Sequence, residues 1–241
     1  LSAYTAGFKS ELADRRVRLN AEFFYYDYKN IQVFESVPNS AGTIITNGGA
    51  ARVKGIDVDF TATPTSQLTI TAGLSLADGK YTSFAGGPQY FPLPPNQTIT
   101  LPPGCSLAAY PTAPAPAVAT QARGDFAGYP MLRTPKITSN ISVSYVIPLG
   151  SNEIELAANW AHSGSYFFEP DNNPFLKQKA TDIFNASVQF STEGDRYSVR
   201  LWGKNLSKEK YISHLIQNGS YYNKYGAAPP RTYGVTLAGQ F

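Results

Sequence analysis

Apolar and polar residues alternate along most of this chain, and this period of two constrains the fold more than any other feature. In the segment RVRLNAEFFYY, one parity carries Val17, Leu19, Ala21, Phe23 and Tyr25, and the other carries arginine, asparagine and glutamate. Because side chains of a strand point alternately to its two faces, the segment predicts a β-strand with one apolar and one polar face. Such two-faced strands are typical of antiparallel sheets. The pattern recurs in segments that begin at Lys54, Gln67, Lys136, Asn152 and Arg231.

The connections between these segments are alternately short and long. Short connections with turn-forming residues lie at Leu12–Arg15, Pro64–Gln67, Gly150–Asn152 and Thr192–Asp195. Long connections lie at Pro38–Asn47, Tyr81–Leu132, Phe168–Lys177 and Ser207–Pro230. A soluble β-sandwich has no reason to sort its loops in this way, whereas a transmembrane β-barrel has short turns at one end and long loops at the other. The segments are also long enough, since a tilted spanning strand needs about 9–11 residues.

Composition excludes several classes of protein. The net charge is only +3, from 20 basic and 17 acidic residues, which argues against a general nucleic-acid surface. No run of eighteen apolar residues occurs, so a transmembrane helix is excluded. Cys105 is the only cysteine, so neither an internal disulfide nor a cysteine metal cluster is possible. The chain begins at Leu1 without a methionine or a signal segment, and we therefore expect a mature or truncated chain.

Alternation by itself does not decide whether the apolar face meets lipid or packs inside a soluble protein. The position of the aromatic residues favours lipid, because many lie near the ends of the long connections, where a barrel has its aromatic girdle. The predicted girdle consists of Tyr25, Tyr26, Tyr28, Tyr81, Phe84, Tyr166, Phe167 and Phe168.

The connection Tyr81–Leu132 differs from the rest of the chain. It holds ten of the 18 prolines, and we expect it to run extended or irregular over the surface and to contain no sheet strand. Loops of this length are usually functional or disordered. We predict an external loop (81–132) over the mouth of the barrel.

Four segments together resemble the C-terminal half of the barrel of TonB-dependent outer-membrane receptors. They are YTAGFKSELADRRVRLNAEFFYYDYKNIQV, NGGAARVKGIDVDFTATP, LWGKNLSKEKY and APPRTYGVTLAGQF, and outside the Pro-rich loop the resemblance covers nearly the whole chain. The last segment resembles the signal by which outer-membrane barrels are recognised for insertion. Its last residue is aromatic, and apolar residues occupy alternate positions before it. These residues are Tyr233, Val235, Leu237 and Phe241.

The resemblance implies an outer-membrane receptor of a Gram-negative cell that imports a scarce, bulky ligand, such as a ferric siderophore, cobalamin or an oligosaccharide. It also implies the TonB energy-transducing complex, the barrel-assembly machinery and outer-membrane lipid as partners, and no resident cofactor. Family barrels have about 22 strands and a plug. Residues 1–241 lack a plug and supply about nine strands. We therefore expect part of an all-β antiparallel transmembrane barrel: an open, curved sheet, its first strand (around Ala3–Ser10) unpaired with its last (Arg231–Phe241), unable to transport alone.

An enzymatic function has little support. Asp57 with Asp59, and Glu153 with Glu155, lie two residues apart, a spacing within the range of an inverting glycosidase pair. Both pairs fall on the predicted polar face, where solvated charges are ordinary. His162 and His214 belong to no metal-ligand motif, so we predict neither a catalytic residue nor a metal site. A secreted all-β binding module, such as an adhesin or lectin, remains the alternative, followed by a glycan-active enzyme.

Ligand contacts are expected from the Pro-rich loop. Aromatic and basic side chains there could stack on or pair with a bulky ligand. The candidates are Tyr90, Phe91, Arg123, Phe126 and Tyr129. Whether this loop binds the ligand or only covers the mouth stays open at this stage.

Overall fold

A computed structural model describes residues 1–36, 43–91, 106–107, 120–218 and 222–240. Within these ranges the protein is almost entirely β-structure, with two one-turn 3-10 helices at Pro174–Leu176 and Glu193–Asp195. In the same part of the chain no helix is long and apolar enough to cross a membrane. The strands are β1 (Ser2–Leu12), β2 (Val17–Tyr28), β3 (Gln32–Ser36), β4 (Thr43–Asn47), β5 (Ala50–Ala62), β6 (Leu68–Ser83), β7 (Gly87–Phe91), β8 (Ser106–Leu107), β9 (Thr120–Gly124), β10 (Ile137–Leu149), β11 (Asn152–Ser163), β12 (Tyr166–Phe167), β13 (Lys177–Gln178), β14 (Thr181–Ser191), β15 (Tyr197–Lys204), β16 (Ile212–Asn218), β17 (Tyr222–Ala227) and β18 (Thr232–Gly239).

One antiparallel sheet of nine strands dominates the structure. Its order is β1-β2-β5-β6-β10-β11-β14-β15-β18, so each strand pairs with the next long strand of the sequence. β1 and β18 are the two edges and are not paired with each other, which confirms the open sheet of about nine strands. The described residues do not form a two-sheet sandwich.

The short connections all lie at one edge of the sheet, because a meander of antiparallel strands reverses direction at every turn. The β10–β11 turn shows why turn-forming residues occur in the short connections. Gly150 has a φ of 67°, a left-handed conformation that glycine adopts without steric cost. The β1–β2 turn reaches the same region at Ala13, Asp14 and Arg15. We call this side of the sheet the short-turn edge and the opposite side the long-loop edge.

The register of the sheet separates the two faces predicted from the sequence. Phe23 lies opposite Ile56, Ile141 opposite Trp160, and Leu201 opposite Val235, on what we call the apolar face. Many of its large apolar side chains are exposed, and Leu237 has 74% of its surface accessible. Exposed apolar areas of this extent are rare on soluble proteins and mark a surface made for lipid or a partner. The other face, which carries Glu22, Asp57, Asn159 and Arg200, is called the polar face.

The long connections contain strands of their own, which the sequence analysis missed. β3 pairs with β4, β12 with β13, and β16 with β17, each as a small antiparallel ribbon. The expectation that the Pro-rich loop contains no strand is wrong: β6 continues to Ser83, and β7, β8 and β9 form a three-stranded sheet. Pro88 is accommodated because β7 is an edge strand, where a residue without an N–H group is tolerated.

The predicted aromatic girdle is wrong for most of its members. Tyr81, Phe84 and Phe168 are buried, with at most 2% of their surface exposed. Tyr26 and Tyr28 lie on the polar face, where Tyr26 stacks on Phe24 with ring centroids 5.2 Å apart. Tyr25, by contrast, shares the apolar face with Tyr4, as a girdle requires. Residues of opposite parity in one strand cannot all face lipid.

Candidate functional site

Two features of the structure could meet a ligand or another part of the protein: the polar face and the long-loop edge. On the polar face, strands β6, β10, β11, β14, β15 and β18 line an open groove of about 600 Å³. Its lining is rich in small polar side chains with a few larger ones. The lining residues used below are Ser142, Ser144, Asn159, Asn185, Arg200, Trp202, Lys204 and Thr236.

An amide ladder crosses this groove perpendicular to the strands. Asn159 Nδ2 donates to Ser142 Oγ at 2.9 Å, and Asn185 Nδ2 donates to Asn159 Oδ1 at 3.2 Å. The backbone N–H of Asn205 donates to Asn185 Oδ1 at 2.9 Å. The ladder occurs because these side chains occupy directly opposite positions on neighbouring strands, where cross-strand pairs interact. It holds four connected segments together without using a charge.

Arg200 in the groove is paired with Glu155 of a nearby strand. Ser144 Oγ donates to Glu155 Oε1 at 2.7 Å, and Arg200 lies 3.7 Å from the other oxygen of Glu155. Arg200 Nε also donates to Gln189 Oε1 at 2.7 Å. Glu155 is therefore held in place by partners on strands β10 and β15. Asp57 and Asp59 are exposed on the same face, beside Ser75 and Asn140 in a smaller groove.

The long connections meet in what we call the long-loop cap, built on two buried clusters. The first consists of Ala51, Tyr81, Phe84 and Phe126, with Ile31, Met131 and Leu132 packed against it. It lies on the polar face, since Ala51 and Tyr81 are opposite each other and share parity with Asp57. Backbone hydrogen bonds from Tyr81 to Tyr129 and from Met131 to Gly79 attach the end of the Pro-rich loop to β6.

The second cluster joins the later loops. Phe168, Leu176 and Leu215 are buried together, with Tyr166 and Ile212 against them. The Ile212 N–H donates to Gln178 Oε1 at 2.9 Å, which ties the β15–β18 connection to the β11–β14 connection. Burial raises the pKa of the Tyr166 phenol, and the nearby Arg133 guanidinium opposes that rise.

Several cations lie on aromatic rings along this edge of the sheet. Arg133 lies over Phe168 and Lys177 over Phe167, with the cation 5.8 and 5.3 Å from the ring centroid. Lys204 lies 5.3 Å from the ring centroid of Trp202. Positive charges held on flat rings suit a large ligand that carries negative charge and planar groups.

The structure places the predicted ligand-contact residues in different surroundings. Tyr90 and Phe91 end β7, and Arg123 belongs to β9, so all three lie in one small sheet. Phe126 is 1% exposed and packs edge-to-face on Phe84 at 5.1 Å, so it has no free ring for a ligand. Tyr129 is 40% exposed and stays a candidate. Sequence reasoning missed Arg133, whose position opposite the later loops no local pattern reveals.

The predicted insertion residues lie on one face of the last strand. Tyr233, Val235 and Leu237 are opposite Gly203, Leu201 and Val199 of β15, all on the apolar face. Phe241 lies outside the described residues. Within the part of the chain that is described, no group of three or more His, Cys, Asp or Glu side chains could hold a metal ion.

Comparison with known proteins identifies this architecture. The family model for "TonB dependent receptor-like, beta-barrel" matches residues 2–206. The chain is similar in structure to the ferric yersiniabactin uptake receptor FyuA from Yersinia pestis, with 17% identity and a TM-score of 0.69. It is also similar to the siderophore receptor PiuA from Acinetobacter baumannii (17%, 0.66) and to the copper transporter OprC (12%, 0.60). Each match covers 98% of this chain but only 29%, 27% and 29% of the respective solved chain.

Proposed function

This chain belongs to the TonB-dependent receptor-like β-barrel family, and from that membership we propose that the full-length protein imports a ferric siderophore with TonB-coupled energy. Its location is the outer membrane, as for the rest of the family. The observation that carries the proposal is the asymmetry of the sheet, with an exposed apolar face and a cap of long loops at one edge only. In outer-membrane barrels that edge faces the outside, where ligand arrives.

A ferric chelate is favoured over cobalamin or an oligosaccharide by the chemistry of the cap. Arg133 and Lys177 provide positive charge, and Tyr129 provides an accessible ring. FyuA and PiuA, whose names specify siderophore uptake, have the same fold over this region. OprC, named as a copper transporter, shares the fold as well, so fold alone does not select the ligand.

Uptake by the full-length protein tests the proposal. The gene is expressed in an iron-starved strain without siderophore receptors of its own, and growth is measured with a panel of ferric siderophores, cobalamin and oligosaccharides. We expect growth on at least one ferric siderophore, abolished when the TonB complex is deleted. Uptake of cobalamin or an oligosaccharide but of no ferric siderophore would show that the proposed ligand class is wrong. Uptake that persists without TonB would refute the proposed energy coupling.

The contribution of the cap is tested separately. Tyr129→Ala should raise the KM for uptake about two- to tenfold, because one aromatic contact contributes about 0.5–1.5 kcal/mol. Tyr197→Ala is the matched control, since Tyr197 is similarly exposed but lies at the short-turn edge. Equal KM values for both variants and the parent would place the ligand elsewhere.

A further inference from the structure

Three cations lie side by side on the apolar face near the long-loop edge. Arg52 is directly opposite Lys80 in the β5–β6 pair, and Lys54 follows two residues after Arg52 on the same face. We call these three residues the basic patch. Like charges at opposite positions destabilise a sheet by themselves. The arrangement therefore needs negative charge nearby.

The protein supplies only part of that negative charge. Arg52 lies 3.9 Å from Asp27, and Lys80 lies 3.7 Å from Asp78, both near the limit of an ion pair. About half of each basic side chain remains exposed. Lys54 lies directly opposite Asp78, which pairs with Lys80, and within the described ranges of the chain Lys54 has no ion pair of its own. Three cations against two carboxylates leave one positive charge in excess on this part of the apolar face.

The height of the basic patch matches the headgroup region of a bilayer. Arg52 is ten residues from Ala62, the last residue of β5 at the short-turn edge. Ten residues extend about 33 Å along a strand at about 3.3 Å each, and a tilt of about 45° reduces this to about 23 Å. The lipid-facing band of an outer-membrane barrel is about 25 Å tall. The patch therefore lies where the acyl chains end and phosphate groups begin.

The residues between the basic patch and the short-turn edge also fit a lipid bilayer, because they are apolar. Ile56, Val58 and Phe60 continue along β5 on the same face, beside Leu74 and Leu76 of β6. Tyr25, on the neighbouring strand, lies 5.3 Å from the Arg52 guanidinium and occupies the level of an interfacial aromatic residue. A single surface thus presents cations at the headgroup level and a continuous apolar strip beneath them.

We propose that the basic patch binds the phosphate groups of a phosphorylated lipid in the leaflet at the long-loop edge. The lipid's acyl chains would lie along the apolar strip of β5 and β6. A soluble anion does not explain this arrangement, because it makes no use of the strip. The site is independent of the transported ligand, so it stands or fails apart from the proposed function.

Binding of lipid A, a phosphorylated glycolipid, to the full-length protein in zwitterionic nanodiscs provides the test. Lys54→Gln combined with Lys80→Gln should weaken binding about 25-fold, since each basic residue near an anionic surface contributes about 1 kcal/mol, or about fivefold. Asp78→Asn should strengthen binding, because it removes the competing carboxylate. The matched control, Lys9→Gln with Arg18→Gln, removes two charges from the polar face and should leave affinity unchanged.

Three outcomes would overturn the proposal. The first is equal affinity for the parent and the Lys54/Lys80 variant, each checked for folding by heat-modifiable migration on a gel. The second is an equal loss in the polar-face control, which would indicate a general charge effect. The third is full displacement of lipid A by inorganic phosphate at matched phosphate concentration, which would mean that the site binds a free anion.

Discussion

Asn205 connects three parts of the β15–β18 connection through a single side chain. Its Nδ2 donates to the carbonyl oxygens of Glu209 (2.9 Å) and Pro229 (3.3 Å), and its Oδ1 accepts from the Glu209 N–H at 2.8 Å. The residue is buried and has a φ of 51°, a left-handed conformation in which asparagine is one of the few tolerated side chains. The side chain of this one residue thus joins the start of the connection to its end.

Two substitutions at this position separate these contributions. Asn205→Gly keeps the backbone conformation accessible and should lower the free energy of unfolding by about 1–3 kcal/mol, the cost of leaving buried partners unsatisfied. Asn205→Ala should lose about 1 kcal/mol more through backbone strain. Urea unfolding of the full-length protein measures both. Asn152→Ala, at the first residue of β11 and without a side-chain hydrogen bond to the described residues, should change little. Equal losses for all three variants would contradict the assignment.

Gly234 lies beneath an indole ring on the polar face. A Cβ atom at this position would overlap Trp202, whose Nε1 donates to Thr236 Oγ1 at 3.1 Å. Gly234→Ala should therefore displace the ring and destabilise the protein by about 1–3 kcal/mol, the usual cost of overpacking. The change should also alter tryptophan fluorescence. In a Trp202→Ala background the same substitution should be nearly neutral, and additive losses would show that the two residues do not interact.

At the scale of the element, β18 combines an edge strand with an apolar face. Tyr233, Val235 and Leu237 project to the face that meets lipid, and one backbone edge of the strand has no partner among the described residues. In lipid every backbone polar group needs a partner, so this edge must pair with another strand of the complete barrel. We propose that the barrel-assembly machinery recognises these three residues together with Phe241, which has the same parity in the sequence.

This proposal predicts a difference between two neighbouring substitutions. Phe241→Ser should reduce the amount of folded protein in the outer membrane more than it reduces the stability of protein already inserted. Gln240→Ser, on the opposite parity, should reduce neither. Heat-modifiable bands in membrane fractions give the inserted amount, and urea unfolding gives the stability. Normal insertion of the Phe241 variant would show that the barrel-assembly machinery does not recognise this residue.

At the scale of the whole molecule, the nine strands form part of a cylinder and leave two open edges. The chain spans less than a third of the solved receptors that it matches. Each unpaired backbone group at the edges of β1 and β18 would cost several kcal/mol in lipid. We propose that further strands of the full-length protein pair with both edges and so avoid this cost.

Residues 1–241 expressed alone should therefore fail to insert as a stable barrel and should not support uptake. The expected result on a gel is a band that migrates identically with and without heating, whereas the full-length protein shifts. Cross-linking in detergent measures self-association through the open edges. A heat-shifted monomer that binds ligand would show that β1 and β18 can close on each other.

The sequence alone determined the long strands of the main sheet, their faces and the sorting of the loops. Alternation in β10 and β11 and the turn at Gly150 are local properties, because the parity of a residue sets its face whatever the distant chain does. The same local pattern could not show that Phe126 packs against Tyr81 and Phe84, or that Arg133 lies over Phe168. Only the tertiary structure decided these contacts and the position of the basic patch, because they depend on which strands become neighbours and in what register.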